Sequence, residues 1–120
     1  MKIKRLSKSS LQNILNGKIK EEATCVIKFY SNGCHFCHKL KDRYEQVSED
    51  FPDVHFFAFN IGDYPQVQKQ LEFRGVPTIS LVNAGPAKPD VKLMPEPKKP
   101  DKTTWYTLDN IKNFIEKERK

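Results

Sequence analysis

The stretch from Cys25 to Tyr30 (Cys-Val-Ile-Lys-Phe-Tyr) runs almost directly into a helical pattern, and that junction constrains the fold more than any other feature. A short, nearly continuous run of β-branched and aromatic residues reads as a buried strand. Ser31, Asn32 and Gly33 make the turn after it. From Cys34 onward the apolar positions are Cys37, Leu40, Tyr44, Val47 and Phe51, spaced three, four, three and four. That spacing is one face of an α-helix, and Pro52 ends it.

The same alternation continues on both sides. Val54 to Asn60 and Thr78 to Val82 are further strands, and Lys2 to Leu6 is a weak edge strand. Ser9 or Ser10 caps a short helix carrying Leu11, Ile14 and Leu15, stopped at Gly17. Asp63 and Pro65 open another, with Val67 and Leu71 inward and Gly75 closing it. Thr107 begins the last helix, with Leu108, Ile111, Phe114 and Ile115 on one side. Asp109 lies near its start and Lys117, Arg119 and Lys120 near its end, as the helix dipole favours. Strands alternating with helices predict an α/β fold of three layers, a mixed central sheet flanked by helices.

Asn83 to Thr104 breaks the pattern. It holds five of the eight prolines and many lysines. It reads as an extended loop, residues 83–104, in which Val91 to Met94 is the one stretch able to form a short strand. The 120 residues read as a single domain, 1–120.

No apolar run approaches the roughly 18 residues that a membrane span needs, so no membrane role is expected. Met1 to Ser10 is basic and polar without an apolar core, so no secretory signal is expected there. A net charge of +6 raises nucleic acid or an anionic surface as a partner. The lysines are spread along the whole chain, however, which favours ordinary surface charge over nucleic-acid binding. Three cysteines are too few, and odd in number, for a disulfide-stapled secreted fold. A cytoplasmic monomer is the expectation.

Cys34 and Cys37 fall at the first turn of the helix. Side chains three apart on a helix have Cβ atoms about 5–6 Å apart, and a disulfide wants them at roughly 3.8 Å. A Cys34–Cys37 bridge is therefore reachable with adjustment. Unpaired N–H groups and the dipole at a helix start favour an anion and lower a thiol pKa from about 8.5. Cys34 is at the tip, whereas Cys37 lies on the apolar face with Leu40 and Tyr44. Cys34 is thus the expected nucleophile and Cys37 the resolving thiol. A protonated His35 would stabilise the thiolate and make the pair more oxidising; alternatively it is a surface residue. Phe36 shields the pair, docks a partner or packs locally.

These residues resemble the thioredoxin superfamily. Ile27 to Cys37, with Phe29-Tyr30 before the turn and C-x-x-C after it, is similar to the active-site stretch of thioredoxins and protein disulfide isomerases. Asn60-Ile61 with Pro65 resembles the corresponding thioredoxin stretch. Arg74-Gly75-Val76-Pro77-Thr78 resembles the segment that carries the family's cis-proline. The agreement runs from about residue 24 to 82. It implies a thioredoxin-like fold and reversible exchange of a Cys34–Cys37 dithiol and disulfide with protein substrates. It also implies a cis Pro77 against the cysteine pair, with the Val76 backbone free to pair with an extended substrate peptide. An external reductant, a thioredoxin reductase system or glutathione, is implied as a partner. No metal or organic cofactor is.

Departures from the family stand beside this. His35-Phe36 replaces Gly-Pro. Gly33 stands where many relatives have Trp, which opens that rim. Lys28 stands where thioredoxins carry a buried acid; it either assists deprotonation of Cys37 with a depressed pKa or snorkels to solvent. The loop 83–104 stands in place of the family's short hairpin.

Other readings compete. Cys34-His35-Phe36-Cys37-His38 matches the C-x-x-C-H haem attachment motif, with Met94 as a sixth ligand. Zinc could take Cys34, Cys37 and His35 or His38, but no second ligand pair exists. His55 reads as a strand residue and Cys25 as a small buried hydrophobe. A thioredoxin-like module without redox activity, docking an acidic partner through Lys98, Lys99 and Lys102 with Trp105 and Tyr106, is the main rival. Glutaredoxin-like use of glutathione is another.

Overall fold

The computed structural model describes residues 3–33, 35–73, 75–94 and 107–119, with 35–39 described as helix backbone. In chain order the elements are β1 Lys4–Arg5, α1 Lys8–Leu15, β2 Ala23–Tyr30, α2 His35–Glu49 and β3 His55–Asn60. A 3-10 turn, Ile61–Asp63, follows. Then come α3 Val67–Leu71, β4 Thr78–Ala84, β5 Asp90–Leu93 and α4 Leu108–Glu118. The strands form one mixed sheet in the order β1-β3-β2-β4-β5. β1 and β2 both run parallel to β3, β4 runs antiparallel to β2, and β5 antiparallel to β4. This is the three-layer α/β architecture expected from the sequence.

Side-chain alternation along β2 assigns the layers. Val26 points to one face, where it meets Leu40, Tyr44, Val47 and Phe51 of α2 and its end, and Ile111 and Ile115 of α4. Cys25, Ile27 and Phe29 point to the other, against Leu11 and Ile14 of α1 and Val67 of α3. Both faces of β2 are covered, which is why its sequence is apolar almost throughout. Each fully buried Leu, Ile or Phe contributes about 1.5–3 kcal/mol relative to exposure.

Several sequence expectations are corrected. Ser7, not Ser9 or Ser10, caps α1: its Oγ accepts from the Ser10 N–H at 3.1 Å. Gly75 does not close α3; Glu72 does, in the left-handed region at φ 62°. The extended loop of residues 83–104 is in its first half a β-hairpin, whose second strand falls on the stretch from Val91 to Met94 that the sequence offered as a short strand. β4 continues to Ala84, and Asp90–Leu93 pairs back onto it, from Asn83↔Asp90 to Ser80↔Leu93. The family's hairpin is therefore present rather than replaced. The remainder of that loop, with Lys98, Lys99, Lys102, Trp105 and Tyr106, lies outside the described residues.

Gly17 ends α1 as expected, at φ +70°, and its backbone also lies close to Ala87 in the turn between β4 and β5. A Cβ there would run into the Ala87 carbonyl oxygen. Gly17→Ala combines that clash with a disfavoured backbone region. It is expected to cost about 1–3 kcal/mol, seen as a lower urea midpoint at unchanged m-value.

Candidate active site

The chain leaves the sheet at Tyr30, the last residue of β2, whose parallel partner is Asn60 at the end of β3. It crosses a turn at Asn32-Gly33 and enters α2 at His35. Two side chains fasten this crossing. Asn60 is 6% exposed; its Oδ1 accepts from the Gly62 N–H at 2.9 Å and its Nδ2 donates to Asn32 Oδ1 at 2.9 Å. The Gly62 bond fixes which end of the amide is which, because a backbone N–H can only donate. Sequence reasoning put Asn32 in the turn and Asn60 in a family-like stretch, but did not bring the two side chains together. A signal was available in the Asn-x-Gly order of residues 60–62, a local side-chain-to-backbone turn.

The Val76–Pro77 peptide bond is cis, as the resemblance implies. β4 begins at Thr78, which pairs with Phe29, so one step further out lie Pro77 on one side and Tyr30 on the other. Thr78 Oγ1 donates to the Gly75 carbonyl at 2.6 Å and closes the turn before the strand. Pro77 is buried, while Gly75 and Val76 are half-buried. Gly33 is exposed, and among the described residues nothing lies within 4 Å of where its Cβ would sit.

Lys28 is on the Val26 face of β2 and is 7% exposed, so the snorkelling alternative is set aside. Its Nζ lies 5.2 Å from the Tyr44 ring centre and 5.8 Å from that of Tyr30. Aromatic faces attract a cation, but they do not replace water. Burial pushes the Lys28 ammonium below the usual lysine pKa; Glu45 opposes this and Lys41 adds to it. Beneath it Tyr44 is fully buried, its hydroxyl 2.7 Å from the Phe57 carbonyl and 3.0 Å from that of Val26. Burial holds the phenol well above its ordinary pKa, so it stays a neutral donor.

The sign of the Lys28 effect on stability follows. With its pKa lower in the folded state, the unfolded chain binds more protons between that lowered value and the ordinary lysine pKa. Stability therefore rises with pH across that window and falls as pH drops through the folded-state pKa. Lys28→Met is expected to remove this slope from urea titrations, and to be no less stable than wild type at neutral pH.

Of the other sequence-derived site residues, Cys34 lies outside the described residues. His35, Phe36 and Cys37 are placed by backbone only, in the first turn of α2. Cys25 is a buried free thiol raised to about 11 by desolvation, unsuited to attack. Met94, the sixth ligand of the haem reading, is packed in the core with Ile79 and Leu81. Among the described residues no helix is long and apolar enough to cross a membrane.

Comparison with known proteins gives a consistent picture. The family model Thioredoxin matches residues 2–116. Thioredoxin-3, mitochondrial, of Saccharomyces cerevisiae is 28% identical over 67 residues, which cover 56% of this chain and 53% of that protein. Thioredoxin AMT13 of Alternaria alternata is 29% identical over 79 residues, covering 63% of this chain and 67% of its own. The chain thus spans about half to two thirds of the length of such curated relatives. Among solved structures, chloroplastic thioredoxin z superposes with a TM-score of 0.67 at 18% identity, over 98% of this chain and 94% of that one. The J-Trx1 fragment of ERdj5 superposes with a TM-score of 0.66 at 17% identity, over 97% of this chain and 49% of that one. At such identities these two likenesses concern the fold.

Proposed function

This chain belongs to the thioredoxin family, and on that premise we propose that it is a thiol–disulfide oxidoreductase acting on protein disulfides through Cys34 and Cys37. One observation carries the reading. The cis Val76–Pro77 bond precedes β4 at the end of the sheet where β2 ends and the chain turns into α2, and the C-x-x-C sequence spans that turn and the first residues of α2.

In the forward direction the Cys34 thiolate attacks one sulfur of a substrate disulfide. That S–S bond breaks, a mixed disulfide forms, and the departing substrate thiolate takes a proton. Cys37, deprotonated, attacks the Cys34 sulfur, releasing the second substrate thiol and leaving a Cys34–Cys37 disulfide. The substrate gains two electrons and the chain loses two. An external reductant restores it with two electrons, either a thioredoxin reductase or two glutathione thiols that leave as glutathione disulfide. Gly33, Val76 and Pro77 form the edge on which an extended peptide lies, and His35 and Phe36 tune the couple. Lys28, buried over the Tyr44 ring of α2, is the proton acceptor for Cys37. An unchanged pH profile of mixed-disulfide resolution in Lys28→Met would sink that role. A reducing compartment, the cytosol first, suits a chain with a free buried Cys25, and imaging of the tagged protein tests it.

Equilibration with glutathione buffers tests the central reading. The expected result is one two-electron couple per chain, followed by mass after rapid alkylation, together with dithiol-driven reduction of insulin. A chain that takes up no reversible two-electron couple would falsify the reading.

A further inference from the structure

We propose that Asn60 is a positioning residue for the exchange reaction, acting through Asn32 to hold the turn that delivers Cys34. The inference rests on the exchange reading above and names the side chains that set its geometry.

Asn32 is exposed and belongs to a turn, two positions before Cys34 in the sequence. Exposed turns ordinarily sample several conformations. This one is tied down from an unusual place. The Asn60 side chain is buried at the C-terminal end of β3, twenty-eight residues away in sequence, and its amide is fully committed in orientation. Its oxygen is held by the Gly62 N–H, so its N–H faces Asn32. The bond at 2.9 Å is a direct strap from the sheet to the turn that leads into α2. Buried polar groups are costly to leave unpaired, so the strap is self-enforcing: releasing the turn leaves an Asn60 donor short of its partner.

The strap does not contact the reacting sulfurs. It matters because attack on a disulfide needs the nucleophile held in line with the bond being broken. Misplacement by as little as about 1 Å is expensive in rate. The same Asn60 also starts the 3-10 turn, through Gly62. The end of β3 and the β2–α2 turn are thereby set by a single side chain.

The test is a double-mutant cycle on the intact chain: wild type, Asn32→Ala, Asn60→Ala and the double variant. Second-order rates with a small aromatic disulfide are measured beside urea midpoints, and Cys34→Ser serves as the blank. Asn32→Ala leaves the buried Asn60 donor without its acceptor, so its urea midpoint is expected to fall modestly while the variant stays folded in buffer, and its exchange rate to fall about three- to tenfold, the value of one neutral hydrogen bond. The double variant is expected to be no slower than the slower single variant, because both substitutions remove the same bond. Should Asn60→Ala fail to fold, Asn32→Ala alone decides. Asn32→Ala reacting at the wild-type rate, or single effects that multiply in the double variant, overturns the inference. A wild type as inert as Cys34→Ser overturns the exchange reading itself, and the inference with it.

Discussion

Cys34→Ser is expected to lose turnover with protein disulfides by a factor on the order of 10³ or more, while Cys37→Ser reacts once and stops. The two outcomes differ because the two thiols have different tasks. A serine hydroxyl is essentially un-ionised near neutral pH and does not open a disulfide, so without Cys34 the first bond never forms. Without Cys37 the first bond forms and nothing displaces the substrate. Mass spectrometry of the quenched reaction should show Cys37→Ser carrying one substrate-sized adduct and Cys34→Ser carrying none. Adducts on Cys34→Ser would exchange the two roles. Biological function surviving intact in Cys34→Ser would instead favour the binding-module reading.

Tyr44→Ala is expected to destabilise the chain by about 3–5 kcal/mol, the usual cost of removing a large aromatic side chain from a packed core. Tyr44 is fully buried, stacks edge-on against Phe56 at 5.5 Å, and reaches carbonyls of both β2 and β3 with its hydroxyl. Tyr44→Phe keeps the ring and loses only the hydroxyl, so it should cost about 1–2 kcal/mol. The pair of variants separates packing from hydrogen bonding. It bears on Lys28 as well, since the ring below its Nζ survives in Tyr44→Phe and is gone in Tyr44→Ala. Urea denaturation at two pH values reads all of this. Equal losses in the two variants would mean that the hydroxyl, not the ring, anchors α2 to the sheet.

The elements most legible in the sequence were those whose side chains face a core. α2 and α4 carry a clear helical period because one face of each is buried, and β2, β3 and β4 read as nearly continuous apolar runs because both faces of the sheet are covered. β5 has only four residues, and what makes it a strand is backbone pairing with β4, which leaves little trace in side-chain order. Prolines misled as well: Pro86 and Pro89 lie in the turn between β4 and β5, where no ladder N–H is needed. The end of α3 was misread because glycine is the usual left-handed residue, whereas here Glu72 takes that conformation. At the site, the cysteine spacing and the proline segment were readable as a pattern. The burial of Lys28 was not, since a lysine in an apolar run admits two outcomes until α2 is seen lying across it. The Asn60 strap was invisible for a different reason, being a contact between residues far apart in sequence.

The direction of β4 has a consequence of its own. β4 has seven residues, which at about 3.4 Å each amounts to roughly 24 Å of sheet. Because it runs against β2, its first residue lies level with the last residues of β2, and the segment before it arrives where the segment after β2 departs. Had it run the same way as β2 and β3, Pro77 would have entered at the far end of the sheet, a full strand length from where β2 ends. No lengthening of the connecting chain would repair that. Strand polarity, more than any single side chain, brings these two distant pieces of sequence to one edge.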